Sequence, residues 1–204
     1  MRIAATCVAV VVAGLALTGC TVQVSGSGAP DPAAAAAPLP SSESPASPDA
    51  GGDRFVDSQG RFGLVPPSGW TVDTSGMQGT AAVFLDPQPS NSVAGRFSSN
   101  INVLVVQSGG DLENTVLGAR QELASLTDYA PMVDEPVALV DGTPAHMLGC
   151  SFTDPGTGLA LHNLQLFTVH GGMAIVATGT SLQDVWSGYE QTFQTSLRTL
   201  AVVS

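Results

Sequence analysis

The chain has 204 residues, 44% of them hydrophobic and only 11% charged, and 17 acidic residues against 6 basic ones leave a net charge of −11. Every basic residue is an arginine (positions 2, 54, 61, 96, 120 and 198), so no lysine can serve a P-loop, a Schiff base or a kinase-type site. Nothing in the chain can neutralise a run of phosphates or an anionic membrane surface, which excludes an electrostatic nucleic-acid binder and polybasic membrane attachment.

The N-terminus opens on Arg2 and an apolar run over residues 3–17. The run falls short of the about 20 apolar residues that a spanning helix needs, and residues 1–19 read as a secretory signal peptide. Leu17-Thr18-Gly19-Cys20 resembles the lipobox of bacterial lipoproteins. That motif implies cleavage between Gly19 and Cys20 and acylation of Cys20, so that acyl chains on Cys20 hold the mature protein on the membrane. The alternatives are an ordinary cleavage site followed by a chance cysteine, or an uncleaved helix. Residues 20–53 hold the lipidated Cys20 and an Ala/Pro/Ser-rich stretch with no means of burying a core, expected to be a disordered linker. Ser41, Ser42, Ser44 and Ser47 lie near prolines there, as in O-glycosylated stalks, with a plain spacer the equal alternative. Cys7 leaves with the signal peptide and Cys20 carries lipid, so Cys150 stands alone, expected as a small buried hydrophobe. His146 precedes it by four residues, about 13 Å along a strand, too far to activate the thiol.

Residues 54–204 form a single domain with mixed periodicity. Residues 62–65 make a short strand stopped by Pro66-Pro67-Ser68-Gly69, and Trp70 opens another. Ala81 to Leu85 is an apolar strand ended by Asp86-Pro87. Asn100 to Val106 alternates Ile101, Val103 and Val105 against Asn100, Asn102 and Leu104. Asp111 is placed to cap a helix whose apolar stripe is Leu112, Val116, Ala119, Leu123 and Leu126. Residues 137–140 and 145–152 flank Asp141-Gly142, a strong hairpin signal, and residues 159–169 and 173–178 flank His170-Gly171-Gly172. Ser181 is expected to cap a last helix with Val185, Tyr189, Phe193, Leu197 and Leu200 on its inner face. Hairpin connections make the sheet mainly antiparallel, giving an α+β fold with two helices packed on it.

Several of these segments, in this order, resemble a known family. They are Pro67-Ser68-Gly69-Trp70, Asn100-Ile101-Asn102-Val103-Leu104-Val105, the helix at 111–126, and Asp141-Gly142 with Pro144-Ala145. Gln165-Leu166-Phe167-Thr168-Val169, the Ala177-Thr178 strand end, Phe193 and Ser196-Leu197-Arg198 complete the set. With the lipobox and the Pro/Ala linker, the chain looks like the LpqN/LpqT-type lipoproteins of mycobacteria and related actinobacteria. The resemblance implies a PsbP-like fold, a lipid-anchored location on the extracytoplasmic face of the cell membrane, and no established catalytic residues.

The residues themselves offer little chemistry. There is no Gly-x-Ser-x-Gly, His-Glu-x-x-His or Cys-x-x-Cys. His162 and His170 are about 26 Å apart along a strand and cannot share a metal unless the chain folds back. Asp134 and Glu135, adjacent on an extended chain, face opposite ways and make no acid/base pair. No cofactor or metal is expected, and no catalysis. The candidate binding residues are Trp70 and the amides Asn100, Asn102, Asn163 and Gln165, which alternate with apolar neighbours and share a sheet face. The competing readings are an ordinary solvated face for the amides and a core role for Trp70. The favoured function is a protein-interaction module with a partner in the envelope or a host. A carrier or sensor of an envelope lipid or other small molecule comes second and an envelope hydrolase third.

Overall fold

The computed structural model describes residues 53–203, so the signal peptide, Cys20 and nearly all of the linker lie outside it. The chain opens with the short strands β1 (Phe55–Val56), β2 (Phe62–Leu64) and β3 (Thr71–Asp73), then a 3-10 turn at Met77–Gly79. β4 (Ala82–Leu85), the hairpin β5 (Ser90–Ser92) and β6 (Gly95–Phe97), and the long β7 (Asn100–Gln107) follow. After α1 (Leu112–Leu123) a meander runs through β8 (Thr127–Ala138), β9 (Pro144–Thr153), β10 (Ala160–His170) and β11 (Met173–Leu182). A second 3-10 turn, α2 (Trp186–Leu197) and β12 (Ala201–Val202) close the chain.

The local causes are those of the sequence. Pro66 and Pro67 end β2, and Gly142 turns the β8–β9 hairpin at φ 82°, its N–H donating to the Leu139 carbonyl at 2.9 Å. At the start of α1 the Asp111 carboxylate accepts the Asn114 N–H at 3.0 Å, the expected cap. The second cap differs. Ser181 pairs with His162 inside β11, and α2 starts only at Trp186 with Val185 as its uncapped N-terminal residue. A further difference is β8, which begins at Thr127 although only residues 137–140 have a strand pattern.

Seven strands pair antiparallel throughout in the order β3-β4-β7-β11-β10-β9-β8. On one face α2 brings Phe193 and Leu197 against Ile101, Val103, Leu164 and Leu166. Gly179 lies in the row Ile101–Gly179–Leu164 and leaves room for the Phe193 ring. On the other face Val116 and Leu123 of α1 join Leu148, Cys150, Phe167 and Val176, with Phe97 of β6 beside them. All five residues of the α1 stripe belong to this second cluster. The sheet is thus covered on both sides. Residues that alternate with the core on a strand have no guaranteed access to water.

Arg120 ties α1 to the edge of the sheet. Its Nε and one terminal nitrogen each donate to the Asp134 carboxylate of β8 at 2.7 Å, and His146 Nε2 lies 2.7 Å from the same carboxylate. The hydrogen bond from Arg120, followed by that from His146, holds Asp134 at about 2, below the usual carboxylate range. A lowered value means that the ionised form belongs to the fold. Its contribution is complete above the unfolded value near 3.9 and is lost as pH falls through about 2. Asp134 is 45% exposed, so solvent screening limits the gain to about 1 kcal/mol. Asp134→Asn is expected to cost that much at pH 6 in urea unfolding, and nothing at pH 2; an equal cost at both would assign the loss to packing.

Candidate functional site

The four predicted amides do come together on one face, but not at a surface. Two adjoining rows cross the centre of the sheet, Asn100–Thr180–Asn163 and Asn102–Thr178–Gln165. These six residues are between 1% and 7% exposed. The open recognition surface expected from the sequence is therefore corrected to a buried polar floor, and the solvated-face alternative fails with it. The reason is α1 with the β5–β6 hairpin, which roof this face.

Two side-chain hydrogen bonds hold amides of the floor. The Asn100 amide donates to the Ser98 carbonyl at 3.1 Å, and the Cys150 thiol donates to Asn163 Oδ1 at 3.1 Å. Among the described residues, the buried side-chain polar atoms without a hydrogen-bond partner are Ser99 Oγ, His162 Nδ1 and Trp186 Nε1, none of them in the floor. Beside Asn100 a cleft of about 20 Å³ opens between Asp73, Met77, Thr80 and Val83, room for a single water. Burial pushes the Cys150 thiol up to about 12, which keeps it protonated and unreactive. It takes the place of a small hydrophobe, as expected.

Trp70, the fifth predicted site residue, is half-buried and belongs to the core beneath α2. Its ring stands edge-on to Phe193 at 6.1 Å and packs against Tyr189 at 6.3 Å. His162 faces the same side, edge-on to Trp186 at 5.2 Å, and burial lowers its pKa. Asp134 and Glu135 do point apart, the first to Arg120 and the second to Arg198 at 3.5 Å. His146 and Asp134 resemble part of a relay, yet their other partner is the Arg120 guanidinium rather than a nucleophile.

A second site had no motif to reveal it. A groove of about 530 Å³ opens between the β1–β2 hairpin and the 74–80 turn, with Phe55, Gln59, Arg61, Gly76, Ala81 and Val105 among its lining. One wall is stiffened by an ion pair in which Arg61 Nε and a terminal nitrogen reach the Asp57 carboxylate at 2.6 and 3.0 Å. Hydrogen bonding to Arg61 outweighs burial and keeps Asp57 below its usual pKa. The floor of the groove is strand edge. β4 pairs with β7 only as far as Val103, whose carbonyl accepts the Ala81 N–H at 2.7 Å, while β7 runs on to Gln107 along β11. Backbone groups on a strand alternate in direction. The N–H and C=O of Val105 therefore face the groove, and those of Gln107 point the same way beyond its lining, with no strand opposite. The legible signal was a mismatch in length, since the β-prone run at 100–107 has a much shorter apolar neighbour at 81–85.

The sheet with its two helices defines an α+β class of domain that recurs among solved structures. LpqN of Mycobacterium tuberculosis, described as involved in cell envelope biogenesis, matches with a TM-score of 0.56 and 13% identity, over 74% of this chain and 90% of its own. A protein of Bacteroides thetaiotaomicron matches with a TM-score of 0.50 and 15% identity, over 75% of this chain and 49% of its own. The cyanobacterial PsbP of Synechocystis gives a TM-score of 0.48 and 20% identity, over 74% and 91% of the two chains. No protein-family model and no curated protein sequence matches the chain. What is shared is the fold, and it is the fold expected from the sequence. Among the described residues no helix is long and apolar enough to cross a membrane.

Proposed function

We propose that this is an exported, lipid-anchored envelope protein of the LpqN/LpqT type whose domain binds another polypeptide and catalyses nothing. The observation that carries the reading is the groove along the free edge of β7. It offers aligned backbone donors and acceptors beside apolar Phe55 and Val105, which suits an extended peptide. The envelope location rests on the lipobox at Cys20 and on the likeness in fold to LpqN. The absence of catalysis is supported by Cys150, held protonated, and by the His146–Asp134 pair, tied to an arginine.

The test is site-specific photo-crosslinking in the producing cell, with the full chain carrying the reactive group at Gln59 in the groove wall or at Leu117 on the exposed side of α1. A discrete intermolecular adduct from Gln59 alone is expected. Equal labelling from both positions, or none from Gln59, would overturn the reading.

The buried amide floor favours a second reading, a carrier or sensor of a small hydroxyl-bearing molecule. Its adjoining cleft holds no more than a water in this conformation, so the reading requires α1 or the 74–80 turn to move. It ranks below the first.

A further inference from the structure

The free edge of β7 has a complementary segment within the same chain. Unpaired strand edges are templates for pairing, and an added strand satisfies their backbone groups directly. The unpaired stretch Leu104–Gln107 would be matched by an extended segment of four or five residues, about 13–17 Å long.

Residues 21–25, immediately after Cys20, read Thr-Val-Gln-Val-Ser. Thr21, Val22 and Val24 are β-branched, which suits a pleated, half-buried strand. From residue 26 to 53 the chain has no β-branched or aromatic residue. Prolines at 30, 32, 38, 40, 45 and 48 also deprive that stretch of regularly spaced donors. Residues 21–25 are thus the one part of the linker suited to pairing. They have no core of their own, but pairing with a folded edge does not require one.

Position favours the same match. The linker enters the fold at Arg54 and Phe55, and Phe55 lines the groove. The intervening 28 residues (26–53) span roughly 30 Å as a flexible coil, so their ends meet without strain and at an effective concentration near millimolar. An intermolecular partner has no such advantage.

We infer that residues 21–25 add to the free edge of β7 in the anchored protein, occupying the groove and holding the domain against the bilayer. This rests on the groove being the binding site. It adds regulation to that site, because a partner's strand must displace the chain's own before it binds. Release then lets the domain swing out on its linker.

The test compares the full-length lipidated protein with its V22P/V24P variant in phosphatidylglycerol/phosphatidylethanolamine nanodiscs, by hydrogen exchange at single amides. Proline at 22 and 24 removes two N–H donors and restricts the backbone of the residues before them without touching the folded domain, and intact mass checks that both proteins are processed alike. Val105 and Gln107 are expected to exchange at least tenfold faster in the variant, with Ile101 unchanged. Equal rates in the two proteins, whether fast or slow, overturn self-docking. The Gln59 cross-linker separates this failure from failure of the binding reading. An adduct to residues 21–25 that disappears in the variant supports self-docking. An intermolecular adduct of equal yield in both proteins rejects it while leaving the groove a binding site.

Discussion

Gly179→Ala is expected to destabilise the domain by about 3 kcal/mol, the upper end of the usual overpacking cost. A Cβ at this position would lie 2.4 Å from Phe193 Cδ1 and 2.6 Å from Cγ, so the ring must move. Phe193 is fully buried and hemmed in by Trp70, Trp186 and Tyr189, with ring centroids at 6.1, 5.6 and 5.9 Å. Relief requires the ring to shift within this aromatic cluster or α2 to move away from the sheet. For a domain of this size the loss corresponds to a melting point lower by roughly 10 °C. Phe193→Leu alone is expected to be destabilising, yet in the Gly179→Ala background it should cost little, giving a strong coupling in a double-mutant cycle. Additive losses would mean that the two residues do not meet.

The second large effect concerns location. Cys20→Ser is expected to transfer the protein from the membrane fraction to the soluble one, or to halt its processing with the signal peptide attached. Each buried methylene contributes about 0.8 kcal/mol, so two acyl chains hold a domain firmly and their loss removes that hold. The six arginines cannot compensate, because 17 acidic residues oppose them. An unchanged membrane fraction in the variant would remove the lipid anchor from the account.

The fold was legible wherever a local signal and the tertiary structure agree. The Asp111 cap, the stripe from Leu112 to Leu126, the Asp141-Gly142 turn and the His170-Gly171-Gly172 turn all lie where the sequence puts them. It was illegible where tertiary packing overrides a local preference. Ser181 has the chemistry of a helix cap, yet it completes the ladder to β10, because Gly179 bears a helix across the strand rather than ending it. β8 carries Pro131, Pro136 and mostly exposed residues, so no apolar period marks it, and only its pairing to β9 makes it a strand. The candidate site shows the same division. Alternation placed Asn100, Asn102, Asn163 and Gln165 on one face correctly, but whether that face is wet depends on a helix and a hairpin elsewhere in the chain. The groove at Val105 belongs to no residue pattern at all. It arises from two neighbouring strands of unequal length.

Under the lipid anchoring proposed above, the prolines of β8 have a consequence for crowding in the membrane plane. Lipoproteins held side by side meet repeatedly in similar orientations, and a sheet margin with regular donors would recruit copies of itself into ribbons. Pro131 and Pro136 withhold donors along that margin. The notch beside β7, proposed above to take a strand, lies between the β1–β2 hairpin and the 74–80 turn. A strand received there would be walled by the hairpin and the turn, so the proposed pairing would stop at one guest.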